Sequence, residues 1–382
     1  MMRPMKLAGS ELLFGTGCLE HMKSFKYKKV SIVIGGNSII KNGGLGKVEN
    51  YLKESGAEIQ IISGVEPDPS FRTVIAGAEK MKEFQPDLIV ALGGGSVMDA
   101  AKGMWIYYEN PDLKELSDIC SPNPFPKLRK KAVLCCIPTT SGTASEVSRS
   151  IVISDDSGMK HGIGNMEMMP DIAICDPELT LSMPAHITAE TGMDALTHAL
   201  EAMVSKRANY LSDILARASA KDIIQNIGIV YQQGENIEAR EKMLNASMVA
   251  GLAFTNVSLG IVHSMAHTLG GHFHLAHGLL DAIILPYIVK YNMQDEEAKS
   301  RYQSFSEELG SESLVEVIQN KNRELKIAGS LKELIPDATE YEKQLENMTE
   351  EALLDGCTKT NPIIPNREEM KELFRKVYKG DL

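Results

Sequence analysis

The sequence predicts an α/β domain over residues 1–180 followed by an all-helical domain over residues 181–382. Three observations predict it. Short β-branched runs alternate with helical patterns through the first half, the signature of a mainly parallel sheet covered on both faces. After Pro184 long helical patterns take over and β-branched runs become rare. A chain of 382 residues is long for a single core and suits two domains at roughly 100–200 residues each.

The elements follow in order. Residues 30–34 are an apolar run ended by Gly35-Gly36 and read as a strand. Residues 39–55 read as a helix whose start is blurred by Gly43, Gly44 and Gly46, and residues 57–63 as the next strand. Residues 70–84 place Phe71, Val74, Ile75, Ala78 and Met81 on one helical stripe, which Pro86 stops. Residues 88–92 read as a strand, Gly93-Gly94-Gly95-Ser96 as a loop and 97–108 as a helix. Residues 133–137 form another strand, ended by Pro138. Residues 151–154, the turn Asp155-Asp156-Ser157-Gly158 and the segment from Lys160 read as a hairpin. Residues 172–175 are a last short strand, closed by Asp176-Pro177. The acidic stretch from Gln294 to Glu308 reads as a solvated helix face, and no internal repeat is present.

Composition narrows the function. Apolar residues are 43% and charged residues 24% of the chain, the balance of an ordinary globular protein. A net charge of −11 repels polyanions, and the short basic cluster from Lys127 to Lys131 reads as a solvated loop, so nucleic acid is not an expected partner. No stretch approaches the roughly 20 apolar residues of a membrane helix, and the first ten residues lack the apolar core of a signal peptide. Six cysteines without CxxC spacing, including the adjacent Cys135 and Cys136, read as reduced thiols. The expectation is a cytoplasmic protein.

Two turns carry binding chemistry. The run from Leu88 to Asp99 is strand, Gly93-Gly94-Gly95-Ser96, then helix. Glycines let a ligand approach the backbone, and a helix N-terminus offers unpaired N–H groups to a diphosphate, with Asp99 in the first turn. The segment Pro138-Thr139-Thr140-Ser141-Gly142-Thr143-Ala144-Ser145-Glu146 also follows a strand directly, and its hydroxyls suit a phosphate or a ribose, or else a helix cap. No GxGxxG follows the first strand, so the standard dinucleotide fingerprint is absent.

Histidine is concentrated elsewhere. Five of the nine histidines are His263, His267, His272, His274 and His277. Upstream, Asp194 and His198 are four apart and share a helix face. A carboxylate with imidazoles suits Fe(II), Zn(II) or a similar ion, and the lack of cysteine ligands favours an open catalytic site over a structural one. Spacing leaves open which of the five histidines join Asp194 and His198, because His263 and His267 are themselves four apart.

Five segments together resemble the iron-containing (group III) alcohol dehydrogenase family, butanol-dehydrogenase-like. They are the run from Gly93 to Lys102, Pro138 to Val147, Thr191 to His198, Gly260 to His267, and His277-Gly278, with Cys357 to Pro362 fitting at the end. The resemblance implies a dinucleotide-binding α/β domain, a helical metal-binding domain and a cleft between them. It implies metal ligands Asp194, His198, His263 and His277, a proton-relay role for His267 and a substrate-pocket position for Phe254. His272 and His274 are then pocket-lining or surface residues. It implies interconversion of a small alcohol and its aldehyde with NAD(P)(H), in a homo-oligomer, a dimer. Three positions depart from the family pattern: Ala276 where Pro is frequent, Asp281 where Asn is usual, and Ile363 where Arg is common.

Members that prefer NAD tend to carry Asp at the position of Gly36, where a carboxylate repels a 2′-phosphate. Gly36, Asn37 and Ser38 leave room for that phosphate, so NADP(H) is the expected cofactor, with Fe(II) or Zn(II) as the metal. Cofactor contacts are expected at Gly36, Asn37, Ser38, Gly93, Gly94, Gly95, Ser96, Asp99, Thr139, Thr140, Gly142 and Thr143. The alternatives are a glycerol or polyol dehydrogenase, and a dehydroquinate-synthase-like lyase that uses NAD and a metal. The lyase calls for a basic pocket, and no Lys or Arg cluster lies beside Asp194, His198 or His263 in sequence. A non-enzymatic nucleotide-binding or assembly protein is the remaining class, and the complete ligand set argues against it.

Overall fold

A computed structural model describes residues 5–120, 122–156 and 158–382. It divides into two compact units, Met1–Met183 and Pro184–Leu382.

In the first unit the strands are β1 (Glu11–Phe14), β2 (Lys29–Ile34), β3 (Glu58–Ile62), β4 (Leu88–Gly93), β5 (Val133–Pro138), β6 (Ser150–Ser154), β7 (Lys160–Gly164) and β8 (Ile172–Cys175). Among the described residues six of them form one parallel sheet in the order β1-β8-β5-β4-β2-β3, and β6 pairs with β7 as an antiparallel hairpin. The hairpin turn expected at residues 155–158 includes Ser157, which lies outside the described residues. The central strands are apolar on both faces, as a covered parallel sheet requires. Alternate side chains divide them cleanly. Val33, Ile89, Ala91, Leu134 and Cys136 join one core, while Val30, Ile32, Leu88, Val90, Leu92, Cys135 and Ile137 join the other. Cys135 and Cys136 thus point to opposite faces, and the cysteines are free thiols.

Helices cover each face. The short α1 (Ser38–Lys41) and α2 (Gly44–Glu54) replace the single expected helix, because Gly43 takes φ +83° and turns the chain between them. Leu45, Val48 and Leu52 of α2 face one core. The α3 helix (Phe71–Phe84) is capped by Ser70, whose side chain accepts from Thr73 N, and it packs with α4 (Gly95–Glu109) on the other core. The loop after β4 is shorter than expected, since α4 already begins at Gly95. Strand β1 has no counterpart in the sequence reading. It is a four-residue edge strand whose register runs alongside β8 from Glu11↔Ile172, too short to show a periodicity.

The basic loop is also less solvated than expected. Lys127 is exposed, but Leu128 is buried. The Arg129 guanidinium lies 4.9 Å from the Trp105 ring centroid and donates to Asp171 Oδ1 at 2.6 Å and to the Glu167 and Met169 carbonyls at 2.8 and 2.6 Å.

The second unit is helical: α5 (Ala185–Val204), α6 (Tyr210–Gln232), α7 (Ile237–Val257), α8 (Ile261–Phe273), α9 (His277–Asn292), α10 (Glu296–Glu308), α11 (Leu314–Glu324), α12 (Ala338–Leu354) and α13 (Arg367–Lys379). Polar caps start most of them, among them Asn209, Asn236, Asp295, Ser313, Asp337 and Asn366, each accepting from a backbone N–H of its own first turn. Pro286 inside α9 has no N–H for the Ala282 carbonyl one turn back, and Asn322 Nδ2 of α11 supplies the missing donor at 2.6 Å. The acidic stretch is α10, as a solvated helix face requires. Among the described residues no single helix is long and apolar enough to cross a membrane.

Candidate functional site

Three helices of the second unit build a cluster that is buried at Asp194, His198 and His263 and partly open at His277, whose side chain is 36% exposed. Asp194 and His198 stand one turn apart on α5, His263 is in the first turn of α8, and His277 opens α9. What lets α9 come close enough is Gly278: a Cβ there would sit 2.3 Å from the Glu190 carbonyl oxygen and 3.3 Å from Asp194 Cβ. The cluster centres on Asp194 Oδ1. It is 3.4 Å from His198 Nε2, 3.7 Å from His263 Nε2 and 4.0 Å from His277 Nε2. Asp281, one turn further along α9, brings Oδ2 to 3.2 Å from His277 Nε2 and 3.8 Å from His263 Nε2.

The polar balance of this cluster is unusual. Asp194 is 3% and Asp281 0% exposed, yet Asp194 Oδ1, His263 Nε2 and both oxygens of Asp281 lack a hydrogen-bond partner. Buried groups of this kind are costly unless something fills the gap. Burial alone would raise the Asp194 carboxyl, but the imidazoles of His198, His277 and His263 around it hold it well below the usual carboxylate range. At Asp281 burial wins, and its carboxyl is pushed well up. The residues fit a cation. Donors about 2.1 Å from a common ion stand roughly 3.4 Å apart, which is the scale of these separations. The atoms offered by Asp194, His263, His277 and Asp281 all lie within 4.8 Å of one another.

Behind the cluster stand carboxylates that the sequence reading missed. Glu201 Oε2 meets His263 Nδ1 at 2.7 Å and accepts from Gly260 N at 2.9 Å, while Oε1 accepts from Val262 N at 2.8 Å. This fixes the ring so that Nε2 faces Asp194. The signal was present in the sequence: Asp194, His198 and Glu201 follow the i, i+4, i+7 stripe of one helix. His267, on α8, meets Asp355 Oδ2 through Nδ1 at 2.9 Å, and Asp355 Oδ1 accepts from Cys357 N at 2.7 Å. Burial opposes ionisation of Asp355, but His267 and Cys357 N hold its carboxyl well below the usual range. The His267 ring stacks on His277, with centroids 5.3 Å apart. Phe254 stacks on His198 at 4.3 Å and is 8% exposed. His272 pairs with Glu351 at 3.0 Å, and His274 ends α8 in the left-handed conformation at φ +54°.

The first unit gathers the other predicted positions at the carboxyl ends of neighbouring strands β2, β4 and β5. Thr139 N donates to the Gly93 carbonyl at 3.0 Å, and Gly93 lies opposite Pro138 in the sheet register. A Cβ on Gly95 would meet Thr143 Cγ2 at 2.7 Å, and one on Gly94 would meet Thr140 at 3.4 Å, so the glycine turn and the Thr loop are in contact. Gly94 is the N-cap of α4. Gly36 and the Asn37-Ser38 start of α1 follow β2, and a Cβ on Gly36 would meet nothing within 4 Å. Ser96 Oγ accepts from Asp68 N at 3.4 Å. Asp99 is committed to protein: Oδ1 accepts from Ser145 Oγ at 2.8 Å and Oδ2 from Val152 N at 2.9 Å, which ties α4 to β6.

A parallel sheet with glycine turns at its carboxyl end suits a nucleotide, and the carboxylate–imidazole cluster is sized for a cation. Residues 9–177 match the family model for iron-containing alcohol dehydrogenase, and residues 188–378 match that for the C-terminal part of the Fe-containing alcohol dehydrogenase family. The chain belongs to the iron-containing alcohol dehydrogenase family. It is 42% identical over 380 residues to the NADPH-dependent butanol dehydrogenase of Clostridium saccharobutylicum, covering 97% of each chain. It is 37% identical over 378 residues to an alcohol dehydrogenase of Thermococcus barophilus, covering 97% of this chain and 98% of that one. Among solved structures, the iron-containing alcohol dehydrogenase of Thermococcus thioreducens superposes with a TM-score of 0.93 at 35% identity, covering 99% of this chain and 100% of that one. The chain is therefore an NAD(P)-dependent alcohol dehydrogenase, and its reaction class is alcohol–aldehyde interconversion.

Proposed function

We propose that this enzyme interconverts a small primary alcohol and its aldehyde with NADP(H), using Fe(II) or Zn(II) held by Asp194, His198, His263 and His277. The observation that carries the reading is the convergence of three imidazole Nε2 atoms within 4.0 Å of one buried carboxylate oxygen that has no hydrogen-bond partner. When bound, the ion supplies Lewis acidity toward the substrate oxygen, and the nicotinamide supplies hydride exchange.

The chain does the rest. Gly93, Gly94, Gly95 and Ser96 present the start of α4 to the cofactor diphosphate, supported from behind by Asp99, with Thr139, Thr140, Gly142 and Thr143 lining the adjacent loop. Gly36, Asn37 and Ser38 admit a 2′-phosphate, and the similarity to an NADPH-dependent butanol dehydrogenase supports that choice. Phe254 offers an apolar wall beside His198, which suits a short aliphatic substrate. His267 donates its Nδ1 proton to the ionised Asp355, which leaves Nε2 to give or take the proton of the reaction. At 28% exposure the His267 side chain is open to exchange with water. A reducing cytoplasm suits the free thiols. A homo-oligomer suits the edge strand β1, whose Phe14 is 57% exposed.

The test is NADPH and NADH consumption with a panel of short aldehydes, on protein stripped of metal and reloaded separately with Fe(II) and Zn(II). Metal-restored turnover, with a higher kcat/KM for NADPH, is expected. The His198→Ala variant is expected to lose both metal and turnover. Better kcat/KM with NADH would refute the cofactor choice, and full turnover in metal-free protein would refute the site.

A further inference from the structure

The geometry points to Asp281 as an additional metal donor in this enzyme, so that the ion is held by two carboxylates and three imidazoles rather than by one and three. The inference rests on the reading of Asp194, His198, His263 and His277 as ligands. Asp281 is one helical turn beyond His277, so the two side chains leave the same face of α9. It is fully buried, and neither carboxylate oxygen has a hydrogen-bond partner. Its Oδ2 stands 3.2 Å from His277 Nε2 and 3.8 Å from His263 Nε2, the same range that separates those rings from Asp194 Oδ1. Asp281 thus aims Oδ2 into the cluster.

Charge supports the same assignment. Two carboxylates enclosed in one pocket repel each other, and ligating imidazoles are neutral. A divalent ion between Asp194 and Asp281 would offset that repulsion, with the Glu201 carboxylate a further buried negative group behind His263. A mixed oxygen and nitrogen set with more than four donors also departs from the four-coordinate preference of Zn(II). It favours ions that accept oxygen ligands and higher coordination, Mn(II) and Fe(II).

The experiment uses the full-length protein stripped of metal. Dissociation constants for Mn(II) and Zn(II) are measured by competition with a chelator, and the Co(II) form is examined by visible absorption, whose band intensity reports coordination number. Asp281→Asn, which keeps the shape and removes the charge, is expected to weaken Mn(II) binding about 10- to 100-fold. Zn(II) should weaken less, and the cobalt bands should intensify toward the four-coordinate form. Asp281→Ala is expected to follow it, which guards against an effect peculiar to the amide. Unchanged constants for both ions would overturn the inference. So would weakened binding with an unchanged cobalt spectrum, because Asp281 would then act only through His277. His263→Ala separates this inference from the one beneath it. If His263→Ala loses metal while Asp281→Asn does not, only the role of Asp281 fails; if His263→Ala keeps wild-type affinity, the ligand set itself fails.

Discussion

Buried charges in this chain are satisfied in different ways, and the differences predict behaviour. Lys102 is 0% exposed, and its Nζ donates to Ser145 Oγ, Ser148 O and Ser150 O at 2.9, 3.0 and 3.1 Å, spending all three protons on protein. Glu146, in the same region, is 2% exposed, and burial pushes its carboxyl up to about 7, with Lys102 pulling it the other way. Its folded value therefore lies above the ordinary 4.5, so the folded state holds a proton that the unfolded chain has released. The cost is absent below pH 4.5, grows between pH 4.5 and 7, and is constant above. At about 1.4 kcal/mol per pH unit it reaches about 3 kcal/mol. Glu146→Gln should match the wild type in urea unfolding near pH 4.5 and exceed it by a few kcal/mol at pH 8. Parallel stability–pH curves for the two proteins would show that Glu146 is ionised at no cost.

At the level of elements, α9 carries the most. It begins at His277, passes Gly278 against α5, brings Asp281 beneath His277, and survives Pro286 because Asn322 serves the Ala282 carbonyl. Gly278→Ala places a methyl group 2.3 Å from the Glu190 carbonyl oxygen, so α9 must move away from α5. A loss of about 1–3 kcal/mol in stability is expected. The same shift separates His277 from Asp194, so chelator competition should show weaker metal binding. Wild-type metal affinity in a folded Gly278→Ala protein would mean that the helices need not touch there. The elements legible in the sequence were those with a periodicity longer than a turn: the apolar runs at β2, β4 and β5, and the stripe of α3. Strand β1 and the break at Gly43 escaped because each is decided by a partner or a single φ angle. Site residues divided in the same way. The pair Asp194 and His198 is local and was legible. Spacing could not separate His263 from His267, since what distinguishes them lies 62 and 88 residues away, in Glu201 and Asp355.

Across the whole molecule the two chemistries are segregated along the chain. Every glycine and threonine turn proposed for the cofactor lies within Met1–Met183, and every imidazole and carboxylate proposed for the metal lies within Pro184–Leu382. The first unit has a sheet with a core on either face, and the second a set of capped helices with α5 buried among them. A ligand stabilises the segments whose groups it engages, by about 2.7 kcal/mol at a hundredfold excess over its dissociation constant. Removal of metal should therefore be felt where its donors are. In hydrogen exchange, chelation is expected to accelerate amides of Ala185–Val204, Ile261–Phe273 and His277–Asn292, whose buried carboxylates and imidazoles are left facing one another. NADPH is expected to slow exchange in the turns from Gly93 to Ser96 and from Thr139 to Thr143, and to leave α11 and α13 unchanged. The two effects should be separable, each ligand protecting its own segments when added alone. Equal acceleration of β2, β4 and β5 on chelation would show instead that the metal holds the whole chain together, and that the division at Met183 is one of sequence rather than of stability.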